Sequence, residues 1–269
     1  MVAIGISEFT FGFAFLYELT AANWDGLTAA PILPSLQQEQ NEGWDAKLPL
    51  QGAPFYYQFK LAEYLSRSNA TYIDDGTYAG PYFRISLHRR ENNRQHRLLW
   101  ALGQQNPETY YVAPEVLTRN QFNDAFLNRS MVPNSRMIRL ADCERLDETD
   151  GEAHVITFRQ NEQGSIFHSD PKRAERTYRG KDILTLYEAT RQSWRVVDNS
   201  FAKDLLDQTI ETVRRIEGIE DERAIVAQRH LIDEPVTGLP RNRVLQRVAD
   251  IAATVFGVTM VMVGSRPNP

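Results

Sequence analysis

Two residues apart in the apolar stretch Pro54-Phe55-Tyr56-Tyr57-Gln58-Phe59-Lys60-Leu61 stand an amide and an ammonium. Thirteen residues before Gln58, in Gly43-Trp44-Asp45-Ala46-Lys47-Leu48, stands a carboxylate. A carboxylate oxygen and an amide oxygen are hard donors that suit Mg²⁺, which keeps several waters of its own. A metal held between them would lower the pKa of a bound water and stabilise charge on a phosphate. Lys60 would orient or help deprotonate that water, or stabilise a pentavalent transition state. Glu8, upstream, could add a further carboxylate, and Gly12 would let the backbone come close to the same spot. A surface ion pair between Asp45 and Lys60 would account for these residues without chemistry. Against it, the polar groups interrupt segments that are otherwise apolar, where burial without a role is costly.

For these groups to meet, the chain around them must fold in a particular way. Trp44 to Leu50 and Pro54 to Leu61 are joined by Gln51-Gly52-Ala53, which predicts a hairpin. Gln58 and Lys60 then share one face of a strand, and Asp45 can reach that face if the register is right. Upstream, Ser7 is a plausible N-cap for a helix over Glu8 to Ala22. The alternating aromatics Phe9, Phe11, Phe13, Phe15 and Tyr17 also suit a strand; the length of the run and the absence of turn signals favour the helix. Ala29 to Leu36 reads as a short edge strand because of its prolines.

Downstream, Tyr82 to Leu87 is a predicted strand, Asn92 to Leu102 a helix, Thr109 to Ala113 a strand and Thr118 to Leu127 a helix capped by Thr118. Met137 to Leu140 reads as a strand, and Glu152 to Arg159 with Ser165 to His168 as a second hairpin. Lys181 to Glu188, Ala202 to Ile216 with its continuation Glu222 to Leu231, and Arg241 to Val255 have helical patterns, before a short strand at Val258 to Val263. Mixed patterning gives way to helices near residue 195, which divides the chain into residues 1–195 and a helical region, 196–269, ending in a short strand. The expected class is α/β, a mixed central sheet flanked by helices with a helical C-terminal part.

The order helix, strand, strand with Asp45, strand with Gln58-Phe59-Lys60 resembles the PD-(D/E)XK nuclease superfamily. The match is to its Gln-x-Lys variant, as in methyl-directed restriction endonucleases and antiviral nuclease effectors. The resemblance covers roughly residues 1–115, and Trp44 stands where the family name has proline. It implies a restriction-endonuclease-like fold, with Asp45 and Gln58 as ligands of Mg²⁺ or Mn²⁺, Lys60 as the catalytic lysine and Glu8 as the helix acid. It also implies DNA as substrate, phosphodiester hydrolysis as reaction, and a bacterial restriction or anti-phage defence setting. Arg94, Gln95 and His96 open the helix that in relatives of this fold faces the DNA backbone. Gln58 in place of an acid keeps an alternative in view: an inactive nuclease fold serving as a DNA-binding or assembly subunit.

Composition narrows the remaining classes. Of 30 basic residues 25 are Arg, whose planar fork suits phosphate; an Arg-rich codon bias explains the same count. Net charge is −5, so any nucleic-acid surface must be a local patch, such as Arg84 to Arg97 or Lys172 to Lys181. A single cysteine, Cys143, excludes an intramolecular disulfide and a cysteine-built zinc site. No apolar run reaches the ~20 residues of a membrane span. A signal-peptide pattern is missing, so the expected location is cytoplasmic. The amphipathic stretch from Ala202 to Leu231 could dock a protein partner or a second copy, although such a face more often packs on its own core.

Overall fold

The computed structural model describes residues 4–22, 24, 53–87, 94–143, 145–146, 154–160, 162–168, 172–174, 177–179, 182, 198–217, 232–233, 235–256 and 259–263. The chain opens on α1 (Glu8–Ala22). The Ser7 hydroxyl accepts from the Thr10 N–H at 3.0 Å, which fixes the helix start. Then come β1 (Ala53–Phe59), β2 (Glu63–Leu65), the single turn α2 (Thr71–Asp74) and β3 (Tyr82–Ser86). Next are α3 (Arg94–Gln105), β4 (Thr109–Pro114), α4 (Arg119–Leu127) and β5 (Ser135–Arg139). Thr118 caps α4 in a reciprocal box with Gln121, as its sequence suggests. Four strands follow: β6 (Val155–Phe158), β7 (Ser165–His168), β8 (Lys172–Ala174) and β9 (Thr177–Arg179). The helices α5 (Asn199–Glu217) and α6 (Arg241–Phe256) lead to the last strand, β10 (Thr259–Val263).

The class is mixed α/β, but among the described residues the strands form two sheets of five rather than one central sheet. One runs β10-β1-β4-β5-β9 and is mixed, with β1 and β4 parallel; the other runs β2-β3-β6-β7-β8 and is antiparallel throughout. The last strand, β10, lies beside β1, where Ala53 pairs with Val263 and Tyr57 with Thr259. The apolar stripe of α5, carried by Ala202, Leu206 and Val213, is buried in the common core, and α5 packs on α3 and α6. Residues on both sides of position 195 therefore share one core. Within its described part, the face read as a docking surface is turned inward; residues 218–231 lie outside the described set.

The hairpin predicted for residues 44–61 needs correcting at β1. One edge of β1 is taken by β10 over Ala53 to Tyr57, the other by β4 over Tyr56 to Phe59. A strand has only two edges, so nothing is left along Tyr56 and Tyr57 for an adjacent partner. The segment Trp44 to Leu50 itself lies outside the described residues, as do Ala29 to Leu36 and Glu222 to Leu231.

One face of β1 carries Phe55, Tyr57 and Phe59, all fully buried. On it α1 lays Phe11 and Phe15, whose rings meet Phe59 edge-on at 5.7 Å, and Phe15 meets Tyr57 at the same distance. Gly12 makes this approach possible, since a Cβ there would stand 2.8 Å from the Phe59 ring. The two sheets are joined by Arg136 of β5, which is wholly buried. Its Nε donates to Glu115 at 2.6 Å, and its terminal nitrogens donate at 2.8 Å to the carbonyls of Arg159 and Glu162, in the β6–β7 turn. Among the described residues no helix is long and apolar enough to cross a membrane.

Candidate functional site

The second face of β1 carries Tyr56, Gln58 and, just past the strand end, Lys60. All three are buried, with Lys60 5% exposed and Gln58 4%. The Lys60 backbone N–H continues the ladder by donating to the Val112 carbonyl at 2.9 Å, so its side chain keeps the pleat's alternation and shares the face of Gln58. Parallel pairing sets Gln58 beside Tyr111 of β4. The Gln58 amide nitrogen donates to the Phe59 carbonyl at 3.3 Å. Thr209 of α5 lies beside the Tyr56 hydroxyl, so a C-terminal helix roofs the start of this face.

From α3, His96 reaches the same neighbourhood. Its Nδ1 is 3.0 Å from the Tyr111 hydroxyl, and its ring rests between Tyr111 and Phe167 of β7. At 3% exposure His96 is a packed residue at the junction of the two sheets, where the sequence placed a DNA contact or a solvated helix start. Burial pushes the Tyr111 phenol well above its ordinary range, so it stays protonated and able to donate to the imidazole. Arg94 begins α3 and Gln95 follows it; of this trio only the His96 side chain is described.

Glu8 arrives from the opposite side. In the first turn of α1, its carboxylate accepts from the Leu61 N–H at 3.4 Å, one residue beyond Lys60. Gln58 and Lys60 at the end of β1 thus lie next to the amide that bonds the Glu8 carboxylate, which comes from 50 and 52 positions away in the chain. Asp45, the third group expected at this site, lies outside the described residues. Tyr111 was not singled out for this role, because its importance comes from parallel pairing with Gln58, which no local pattern reveals.

As a metal centre, the described residues are incomplete. Gln58 and Glu8 offer one amide oxygen and one carboxylate, and among the described residues there is no group of three or more His, Cys, Asp or Glu that could hold a metal ion. A cation here would need the Asp45 carboxylate as well. Of the other described histidines, His154 is buried, and the His168 ring nitrogen shares a 2.7 Å hydrogen bond with the Thr157 hydroxyl. Comparison with family models, with curated proteins and with solved structures returns no match.

Proposed function

We propose that the chain is a metal-dependent nuclease that hydrolyses DNA phosphodiester bonds, in a bacterial restriction or anti-phage defence setting. One observation carries the reading. Lys60 and Gln58 lie buried on one face at the end of β1, and the Glu8 carboxylate bonds to the next backbone amide. Burying an ammonium is costly, and a chain retains it where it is paired or where it acts. In this proposal Asp45 and Gln58 hold Mg²⁺ or Mn²⁺, and the bound cation supplies a water of lowered pKa and charge neutralisation at phosphate. Lys60 stabilises the developing negative charge or orients the attacking water. Glu8 fixes the backbone at Leu61 and with it the direction of Lys60. Arg94 and Gln95 contact the DNA backbone, while His96 acts through Tyr111.

The test is cleavage of supercoiled plasmid with Mg²⁺ and with Mn²⁺ by the wild type, Asp45→Ala and Lys60→Ala, with circular dichroism as a folding control. The wild type is expected to nick or linearise the plasmid, and each variant to lose on the order of 10²–10³-fold in rate. Full activity in both folded variants would overturn the assignment.

A second reading is favoured by the amide at position 58 and by the burial of His96 and Lys60, which leaves little of either for a substrate to touch. It is the same fold kept as a DNA-binding or assembly subunit without catalysis. DNA binding that weakens steeply with salt, with no metal dependence and no cleavage, would select it.

A further inference from the structure

A helix that is apolar on every side is normally buried on every side. The α1 helix is apolar all round, but only one face is covered. Phe11, Ala14, Phe15, Leu16 and Leu19 turn to the core, while Phe9, Phe13 and Tyr17 stand 43%, 46% and 46% exposed. These three lie at i, i+4 and i+8, one above another along the outer surface. Phe13 stacks on Tyr17 at 6.3 Å, and Tyr17 meets Phe126 of α4 at 5.5 Å; the residue after Phe126 is Leu127, 77% exposed.

The outer face also carries no charge. From position 9 to 22 the exposed residues are Phe9, Thr10, Phe13, Tyr17, Ala21 and Ala22. The acid between them, Glu18, is turned to its own chain, accepting from the Met131 and Val132 N–H groups at 2.6 and 3.2 Å. At roughly 200 Å² per fully exposed aromatic side chain, the three rings present roughly 270 Å². With Leu127 the patch reaches the range of the largest apolar patches on monomers, about 300–600 Å².

We propose that the outer face of α1 is a self-association surface, on which a second copy of this chain docks its own α1 antiparallel. A twofold contact presents the same patch from both sides, so a face must be its own complement. A stripe spaced evenly about Phe13 meets that condition: Phe13 sits against its copy at the axis, and Phe9 of each chain lies against Tyr17 of the other. An uncharged stripe brings no like charges together at the axis. The Tyr17 hydroxyl would reach the rim formed by Ser7 and Thr10, whose hydroxyls already bond each other at 2.9 Å. Covering both patches and their rims buries about 800–1,200 Å² in all, near the lower bound for specific dimers, so the dimer dissociates on dilution.

The proposal is independent of the nuclease reading. It is tested by sedimentation and light scattering over about 1–100 μM, the range that brackets a micromolar dimer. The wild type is expected to double in mass across the series. Phe13→Asp, which sets two carboxylates face to face, is expected to stay monomeric with an unchanged dichroism spectrum and thermal midpoint. Should that variant fail to fold, oxidative cross-linking decides. Phe13→Cys should link two chains, whereas copies of Ala22→Cys would lie about 27 Å apart along the paired helices and should not. A wild type that is monomeric throughout, a dimeric Phe13→Asp, or linkage at position 22 without linkage at 13 would each overturn the proposal. So would a monomeric wild type that floats with phosphatidylcholine–phosphatidylglycerol vesicles, which would make the stripe a membrane-facing surface instead.

Discussion

Removing the Glu115 carboxylate should destabilise this protein more than almost any other single polar deletion. Arg136 and Glu115 are both fully buried as side chains, with Nε and Oε1 2.6 Å apart. In Glu115→Ala the guanidinium keeps its two carbonyl acceptors in the β6–β7 turn and its place 5.1 Å over the Phe158 ring, but it loses the carboxylate bonded to its Nε. Breaking one side of a buried ion pair costs about 3–5 kcal/mol, because the survivor remains charged and out of water. Against a typical total of about 5–15 kcal/mol, that is roughly a fifth or more of the stability. The mirror change, Arg136→Met, strands Glu115 and should cost a similar amount. The double variant Glu115→Leu/Arg136→Met leaves no unpaired charge. It should therefore be at least about 2 kcal/mol more stable than the sum of the two singles predicts. Urea unfolding at constant m-value reads all four corners of this cycle. Single variants that each cost less than about 1 kcal/mol, as exposed pairs do, would refute the claim that this pair is a buried one whose survivor stays charged and out of water.

Two titratable groups give further outcomes. Burial, with a smaller contribution from Asp142, pushes the Cys143 thiol up to about 12, and its sulfur donates to the Arg139 carbonyl. Ellman's reagent at about pH 8 should thus label the native protein only as fast as it unfolds, and rapid stoichiometric labelling of the folded form would contradict the burial. His168 is half-buried, stacked on Tyr72 at 3.7 Å, and its pKa is lowered by desolvation, with Asp75 pulling weakly the other way. Its folded pKa lies below the ordinary 6.5, so the unfolded chain takes up the proton first as pH falls. Its contribution to stability is present above about pH 6.5 and is lost as pH drops through the folded value. Urea midpoints should fall through this window, and less so in His168→Gln; equal slopes in the two proteins would remove His168 as the cause.

Local signals in the sequence carried the elements well and their arrangement poorly. The boundaries of α1 follow from Ser7 and from the length of the aromatic run, although the every-second-residue spacing imitates a strand. On a helix that spacing distributes rings around the axis, and this is why Phe11 and Phe15 face β1 while Phe9, Phe13 and Tyr17 face out. The Thr118 cap, the β6–β7 hairpin and the pairing of Gln58 with Lys60 on one face are likewise local and were legible. What was not legible depends on distant partners. The short β2, which carries no strand pattern of its own, is a strand because β3 returns antiparallel to it, with Glu63 bonded to Arg84. The adjacency of β1 and β10 joins segments some two hundred residues apart, and the hairpin signal at Gln51-Gly52-Ala53 competed with it for the same edge. Arg136, in Ser-Arg-Met-Ile-Arg, looks like a surface arginine, and only the turn that closes over it from the other sheet makes it a core residue.

The same long-range contacts constrain any chemistry at Gln58 and Lys60. Their strand is held at both edges, by β10 and β4, and covered by α1 on one face, with α5 above Tyr56 on the other. Side chains fixed in this way lose little freedom when a substrate arrives, which favours a preorganised site over an adaptable one. The confinement also restricts the direction of approach. A phosphate cannot enter through a sheet edge that is already paired, nor through the Phe59 face beneath α1. In the proposed function it would come to the end of β1, beyond the pairing with β10, where the Glu8 carboxylate accepts from the Leu61 amide. In the proposed function, both edges of β1 being taken along Tyr56 and Tyr57, an Asp45 carboxylate sharing a cation with Gln58 would have to reach that end as well. Loss of cleavage in Asp45→Ala, with folding intact, would support the proposed metal role of residue 45, and unchanged cleavage would remove it.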